Sequence, residues 1–95
     1  MTLRFDWDAD KNKANRRKHT IWFEEAQTVF DDAAARVFFD AEHSSDEDRF
    51  VIIKSSSASR LLVVFHCVRM SGAVIRIISA RKATKKERYT YEERI

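Results

Sequence analysis

Residues 61–81 read LLVVFHCVRMSGAVIRIISAR, two apolar runs on either side of the chain's one glycine, Gly72. Val63, Val64, Phe65, Val68, Val74, Ile75, Ile77 and Ile78 favour a pleated, packed backbone, because branching at Cβ restricts χ1 in a helix. Gly72, after Ser71, supplies the permissive φ that a tight reversal needs. The stretch therefore predicts a β-hairpin at the centre of a small sheet. Arg60, Arg69, Arg76 and Arg81 sit within or at the ends of these strands. A guanidinium is planar and permanently charged, so the arrangement suits gripping an anion.

The surrounding chain bounds what this hairpin can belong to. Ninety-five residues without a proline or an evident linker predict one domain, residues 1–95, with a modest core. No run of about 18 apolar residues is present, and the start MTLRFDWD is too acidic for a signal peptide, so a cytoplasmic protein away from the membrane is expected. A single cysteine, Cys67, excludes an internal disulfide, fits a reducing compartment and reads as a packing residue in its apolar strand. Charge is unevenly distributed. Residues 1–50 hold 8 basic and 12 acidic side chains, and residues 51–95 hold 10 basic and 3 acidic. A basic half of this kind points to nucleic acid or an acidic protein partner.

Taken in order, Phe5 and Trp7 alternate with charged residues as a short edge strand. Asp8 opens a helix through His19, with acids in its first turn and Arg16, Arg17, Lys18 and His19 in its last, which complements the helix dipole. Its few apolar anchors predict a surface position. Ile21 to Phe30 predicts a second helix from apolar residues at i, i+3 and i+7. Arg36 to Asp40 is a strand, residues 41–48 are a polar connection, and Phe50 to Ile53 begins another strand. Thr84 to Glu87 has the form of a capping box, opening a last helix that contains Tyr89 and Tyr91. The reading is α+β, a small antiparallel sheet with helices packed on it, in the order β-α-α-β-β-β-α.

Metal ligation is poorly supported: His19, His43 and His66 are scattered, and none has zinc spacing with Cys67. One glycine cannot build a phosphate loop, and no nucleophile elbow is present, so no cofactor is expected. Arginine, lysine, histidine and tyrosine remain. These suffice for metal-free RNA cleavage by the 2′-hydroxyl, which needs a base, cations for the phosphorane and an acid for the leaving oxygen. They serve equally for a non-catalytic RNA-binding or interaction module.

Pairing Arg69 with Val74 across the turn sets Leu62 opposite Arg81 in an unbroken ladder. Arg60 and Arg81 then share a face as diagonal neighbours, with Lys54 approaching the same end. The other end would gather Arg69, Arg49 and His66, unless His66 is simply a core histidine. A one-residue shift in register would regroup all of these. His43 lies in a polar loop beside Ser44, open to a functional or an incidental reading, and Tyr91 is either a helix anchor or a site residue.

WDADKNKANRRKH, FEEAQTVF, HSSDEDRF and RIISARKATKKERYTYEE, in that order, resemble the BrnT family of toxins from bacterial type II toxin–antitoxin systems. The resemblance spans nearly the whole chain, and HSSDEDR with IRIISARKAT is its most specific part. It implies a RelE-like fold, a ribonuclease that arrests translation, and a BrnA-type antitoxin through which DNA is contacted only indirectly. It carries over Arg49, Arg60, Arg69, Arg81 and Tyr91 as site residues, with His43 beside them. Lys54, Arg76, Lys82, Lys85 and Lys86 complete the expected RNA-binding set. The chain departs from the family pattern at Thr20, where glycine is usual, and at Trp22, where serine commonly caps the second helix.

Overall fold

The structure is a computed structural model and describes residues 4–31, 36–44 and 47–93. Its elements are β1 (Arg4–Asp6), α1 (Ala9–His19), α2 (Phe23–Ala26), β2 (Arg36–Phe39), β3 (Arg49–Ser55), β4 (Leu61–Arg69), β5 (Val74–Lys82) and α3 (Lys85–Glu93). The five strands form one sheet in the order β1-β5-β4-β3-β2. The α+β class holds, with two corrections. Four strands, not three, follow α2, and the sheet is mixed because β1 runs parallel to β5. A three-residue strand carries no directional signal of its own. Its direction comes from docking: the Arg4 N–H donates to the Ala73 carbonyl at 3.1 Å, and Phe5 stands beside Ile75.

One face of the sheet holds most of the core, with Val63 and Cys67 buried on the other. Ile52, Leu62, Val64, Ile75 and Ile77 alternate inward and meet Ile21, Phe23, Ala26 and Val29 from the chain around α2. Fully burying a side chain such as Phe23 contributes roughly 1.5–3 kcal/mol. The hairpin forms as expected, with Arg69 opposite Val74, Gly72 at φ 93° and Met70 at φ 51°.

A β-bulge then alters the register. His66 faces Ile77, but Phe65 faces Ser79, so Ile78 has no partner across the ladder. Val63, not Leu62, therefore stands opposite Arg81. Alternation carried on from Ile75 and Ile77 would have set Ser79 opposite Val64 and Arg81 opposite Leu62, both on the core side. The extra residue instead sets fully buried Ala80 opposite Val64 and exposed Lys82 opposite Leu62, and turns Arg81 to the other face.

The helices depart from simple periodicity. α1 is capped by Asp8, whose carboxylate accepts from the Lys11 N–H at 3.0 Å, and it ends at Thr20 in the left-handed region. It is held by buried amides rather than apolar anchors. Asn15 donates to the carbonyls of Ile21 and Ala80 and accepts from the Ala80 N–H, closing the edge of β5 beyond β1. The second helix is shorter than expected, four residues followed by a 3-10 turn over Gln27–Asp31. The Thr28 hydroxyl donates back to the Glu25 carbonyl at 2.7 Å, a bond that competes with the regular helix. Trp22 offers no side-chain cap, but Asn12 of α1 replaces it: its oxygen accepts from the Phe23 N–H at 2.7 Å.

Candidate functional site: the open face of the sheet

Register and bulge sort the cations between the two faces. Arg49 opposes Cys67, Cys67 opposes Arg76, and Arg69 and Arg81 follow by alternation on the same side, away from the core. Arg60 lies on the other side. Its Nε donates to Glu25 of α2 at 3.0 Å, a second nitrogen bonds the other Glu25 oxygen, and the Ser56 hydroxyl joins at 2.6 Å. The shared face expected for Arg60 and Arg81 is therefore not formed. Lys54 stands opposite Leu62 on the core-side register, with its Nζ 3.5 Å from the Tyr91 hydroxyl. Lys82 opposes Leu62 from the other strand and, with Arg60 and Arg88, lines a separate cavity of about 250 Å³. Lys85 and Lys86 are exposed in the first turn of α3.

On the open face each arginine is positioned differently. Arg81 makes a two-pronged pair with Glu87 at 2.7 and 2.9 Å. Glu87 also accepts from the Thr84 N–H, and its own N–H donates to the Thr84 hydroxyl, so the expected capping box doubles as an arginine clamp. The Arg81 guanidinium, with Thr84 assisting, holds the Glu87 carboxyl down at about 2. Arg81 also lies 5.7 Å from the centre of the Phe65 ring. Its bonds to Glu87 and to the Lys82 carbonyl engage three of five N–H donors and leave two for a ligand. Arg69 is forked onto Glu47 at 3.0 Å, and Arg76 reaches Asp6 at 2.5 Å. No described carboxylate forms an ion pair with the Arg49 guanidinium.

Arg49 lines a cavity of about 170 Å³ with Asp40, Phe65, Ile78 and Ser79. Local hydrogen bonds fix its backbone: its N–H donates to the Ser44 hydroxyl at 2.9 Å, and its carbonyl accepts from the Asp40 N–H at 2.7 Å. His43 falls in the 3-10 turn Ala41–His43 between those two partners, and its side chain lies outside the described ones. Phe65 and Ser79 were legible as strand residues, yet their place on this face depends on the bulge. His66 does not join the arginines. It is buried on the core side between Phe30 and Phe50, and burial lowers its imidazole from the ordinary value. Burial likewise pushes the Cys67 thiol up to about 11, in keeping with a packing role.

The open face thus offers positive charge, an aromatic ring and hydrogen-bond donors around one shallow cavity, a combination suited to a nucleic-acid strand. Comparison with known proteins names the family. Residues 7–87 match the family described as ribonuclease toxin, BrnT, of type II toxin–antitoxin systems. The chain belongs to the BrnT family. A crystal structure of the Brucella abortus ribonuclease toxin BrnT, solved at 1.1 Å, superposes with a TM-score of 0.67. Identity is 22%, over 88% of this chain and 100% of that one, so this likeness speaks for the fold. No curated protein matches. Membership of the BrnT family makes this chain the toxin component of a type II system. No helix of the BrnT-family chain is long and apolar enough to cross a membrane, among the described residues.

Proposed function

We propose that this chain is a metal-independent endoribonuclease, a single cytoplasmic domain, whose reaction takes place on the open face of the sheet. The observation that carries the reading is the bulge at Ile78, which turns Arg81 onto the face that already bears Arg49, Arg69 and Arg76. Phe65, between Arg81 and the Arg49 cavity, serves as a platform for a base. The adjoining phosphate then meets the two spare N–H donors of Arg81 and the guanidinium of Arg49.

The 2′-hydroxyl attacks the adjacent phosphorus, the 5′-oxygen leaves, and the product end is a 2′,3′-cyclic phosphate. The phosphorane carries more charge than the ground state, so charge-assisted hydrogen bonds from Arg49 and Arg81 strengthen as it forms. His43, from the turn fastened to Arg49, takes the hydroxyl proton. Tyr91, one helical turn beyond Glu87, supplies a proton to the leaving oxygen. Arg69 and Arg76 hold flanking phosphates, and Lys54, Lys82, Lys85 and Lys86 form the outer RNA-binding rim. Arg60, closed onto Glu25 on the other face, serves the fold.

Cleavage of RNA arrests translation, and a BrnA-type antitoxin covers the open face to prevent it. The fold groups with RelE-like ribonucleases on this reading. The test is incubation with a defined RNA in excess EDTA, followed by analysis of product ends. Cyclic phosphate ends, suppressed by a BrnA-type antitoxin, support the proposal. Tight RNA binding without cleavage would make the chain a non-catalytic binding module.

A further inference from the structure

A second cavity adjoins the first. It measures about 270 Å³ and is lined by Lys11, Ala14, Asn15, Lys18 and His19 of α1 together with Ile78 and Ser79. Ile78 and Ser79 also line the Arg49 cavity. The two hollows therefore meet at the bulge and make one trough, running from Arg49 and Phe65 across β5 to the flank of α1. α1 is fixed there by the three bonds between Asn15 and the backbone of Ile21 and Ala80. Residues 11, 14, 15, 18 and 19 follow helical spacing, so one stripe of α1 forms the wall. Its charged members, Lys11 and Lys18, make no ion pair with a described residue.

We propose that this trough is a subsite for single-stranded RNA, with Lys11, Lys18 and His19 holding phosphates beyond the cleavage site. The inference rests on the ribonuclease reading and extends it, because it gives the substrate a path and a direction over the molecule. A single strand suits the trough better than a duplex. Ile78 and the small Ser79 are common to both hollows, and Phe65 at one end can stack only an unpaired base. The bulge thereby acts twice, aiming Arg81 outward and setting Ile78 and Ser79 where the two hollows meet.

α1 supplies its own control. Lys13 and Arg17 lie on the opposite side of the helix by the same spacing, so removing them subtracts equal charge without touching the trough. Binding of a fluorescent 12-nucleotide single-stranded RNA with 2′-O-methyl sugars, which cannot be cleaved, is measured against salt. Lys11→Ala with Lys18→Ala should weaken binding about tenfold. It should also flatten the slope of log affinity against log salt by about 1.4, at roughly 0.7 per lost phosphate contact on a single strand. Lys13→Ala with Arg17→Ala should change affinity by less than about twofold. Equal losses from the two pairs would show that net charge alone matters, and would overturn the trough. With cleavable RNA the trough pair should raise KM and leave kcat at the wild-type value; a fall in kcat alone would also overturn a strand-holding role. Face-specific binding by a protein that cleaves nothing would keep the trough and remove the ribonuclease reading.

Discussion

Arg60 and Arg81 hold their guanidinium groups on opposite faces of one sheet, each closed onto a glutamate from a different helix: Glu25 of α2 for Arg60, Glu87 of α3 for Arg81. The two pairs do different things. The first fastens the chain around α2 to the Ser56 turn, and the second holds Arg81 against Phe65 with donors to spare.

The Glu25–Arg60 pair should therefore appear in stability. Glu25 is mostly buried, and removing Arg60 leaves its carboxylate with only Ser56. Arg60→Ala should cost about 1–2 kcal/mol in urea unfolding. The double variant with Glu25→Ala should cost less than the two single losses added. Additive losses would show that the pair does not act as a unit.

Asn12 should matter more than its place on a polar helix suggests. It accepts from the Phe23 N–H and donates to Glu24, capping α2 from outside that helix. Asn12→Ala should destabilise the fold by about 1–2 kcal/mol, the usual cost of a lost cap with a buried N–H left behind. Asn12→Asp keeps the acceptor but sets a second carboxylate against Glu24, so it should recover part of the loss only when combined with Glu24→Gln. Thermal unfolding of these variants checks the order.

Much of this architecture is legible in the residues, and what is not has physical reasons. The strands follow from β-branched alternation, the hairpin from Gly72, and the capping box from the Thr84–Glu87 spacing, because each is a local preference. The bulge is not local: it exchanges Ser79 for the apolar Ala80 opposite Val64, and it depends on the partner strand and on Asn15 of α1, which bonds both backbone groups of Ala80. The Asn12 cap links residues on separate helices, so no window around Trp22 contains it. The direction of β1 depends on where Phe5 docks.

The Glu87 clamp gives a pH signature. Its folded carboxyl lies near 2, well below the ordinary carboxylate range, so its stabilisation is present above about pH 4.5 and lost as pH falls toward 2. At neutral pH the wild type should exceed Glu87→Gln by roughly 1–2 kcal/mol after allowance for solvent screening. The gap should narrow at pH 3 and close near pH 2. Urea unfolding at those values tests it, and a gap unchanged from pH 7 to pH 3 would contradict the assignment.

The antitoxin should meet the open face with acidic residues, since opposed charge speeds encounter and suppresses wrong partners. Its association rate with this chain should fall as ionic strength rises from about 0.05 to 0.5 M, while dissociation changes less. Stopped-flow mixing across that range measures both. An association rate indifferent to salt would assign the charge asymmetry to RNA alone.

The most direct test of the reaction's place is single-turnover cleavage of a defined RNA in EDTA by Arg49→Ala, Arg81→Ala and Arg60→Ala, each compared at equal folded concentration. The first two should cleave about 100-fold more slowly, the usual cost of one preorganised donor, while RNA affinity falls less than about tenfold. Arg81→Lys should recover part of the rate by restoring charge without the fork. Arg60→Ala should cleave within about threefold of wild type. A 100-fold loss for Arg60→Ala, with Arg49→Ala and Arg81→Ala nearly silent, would move the chemistry to the other face and contradict the account.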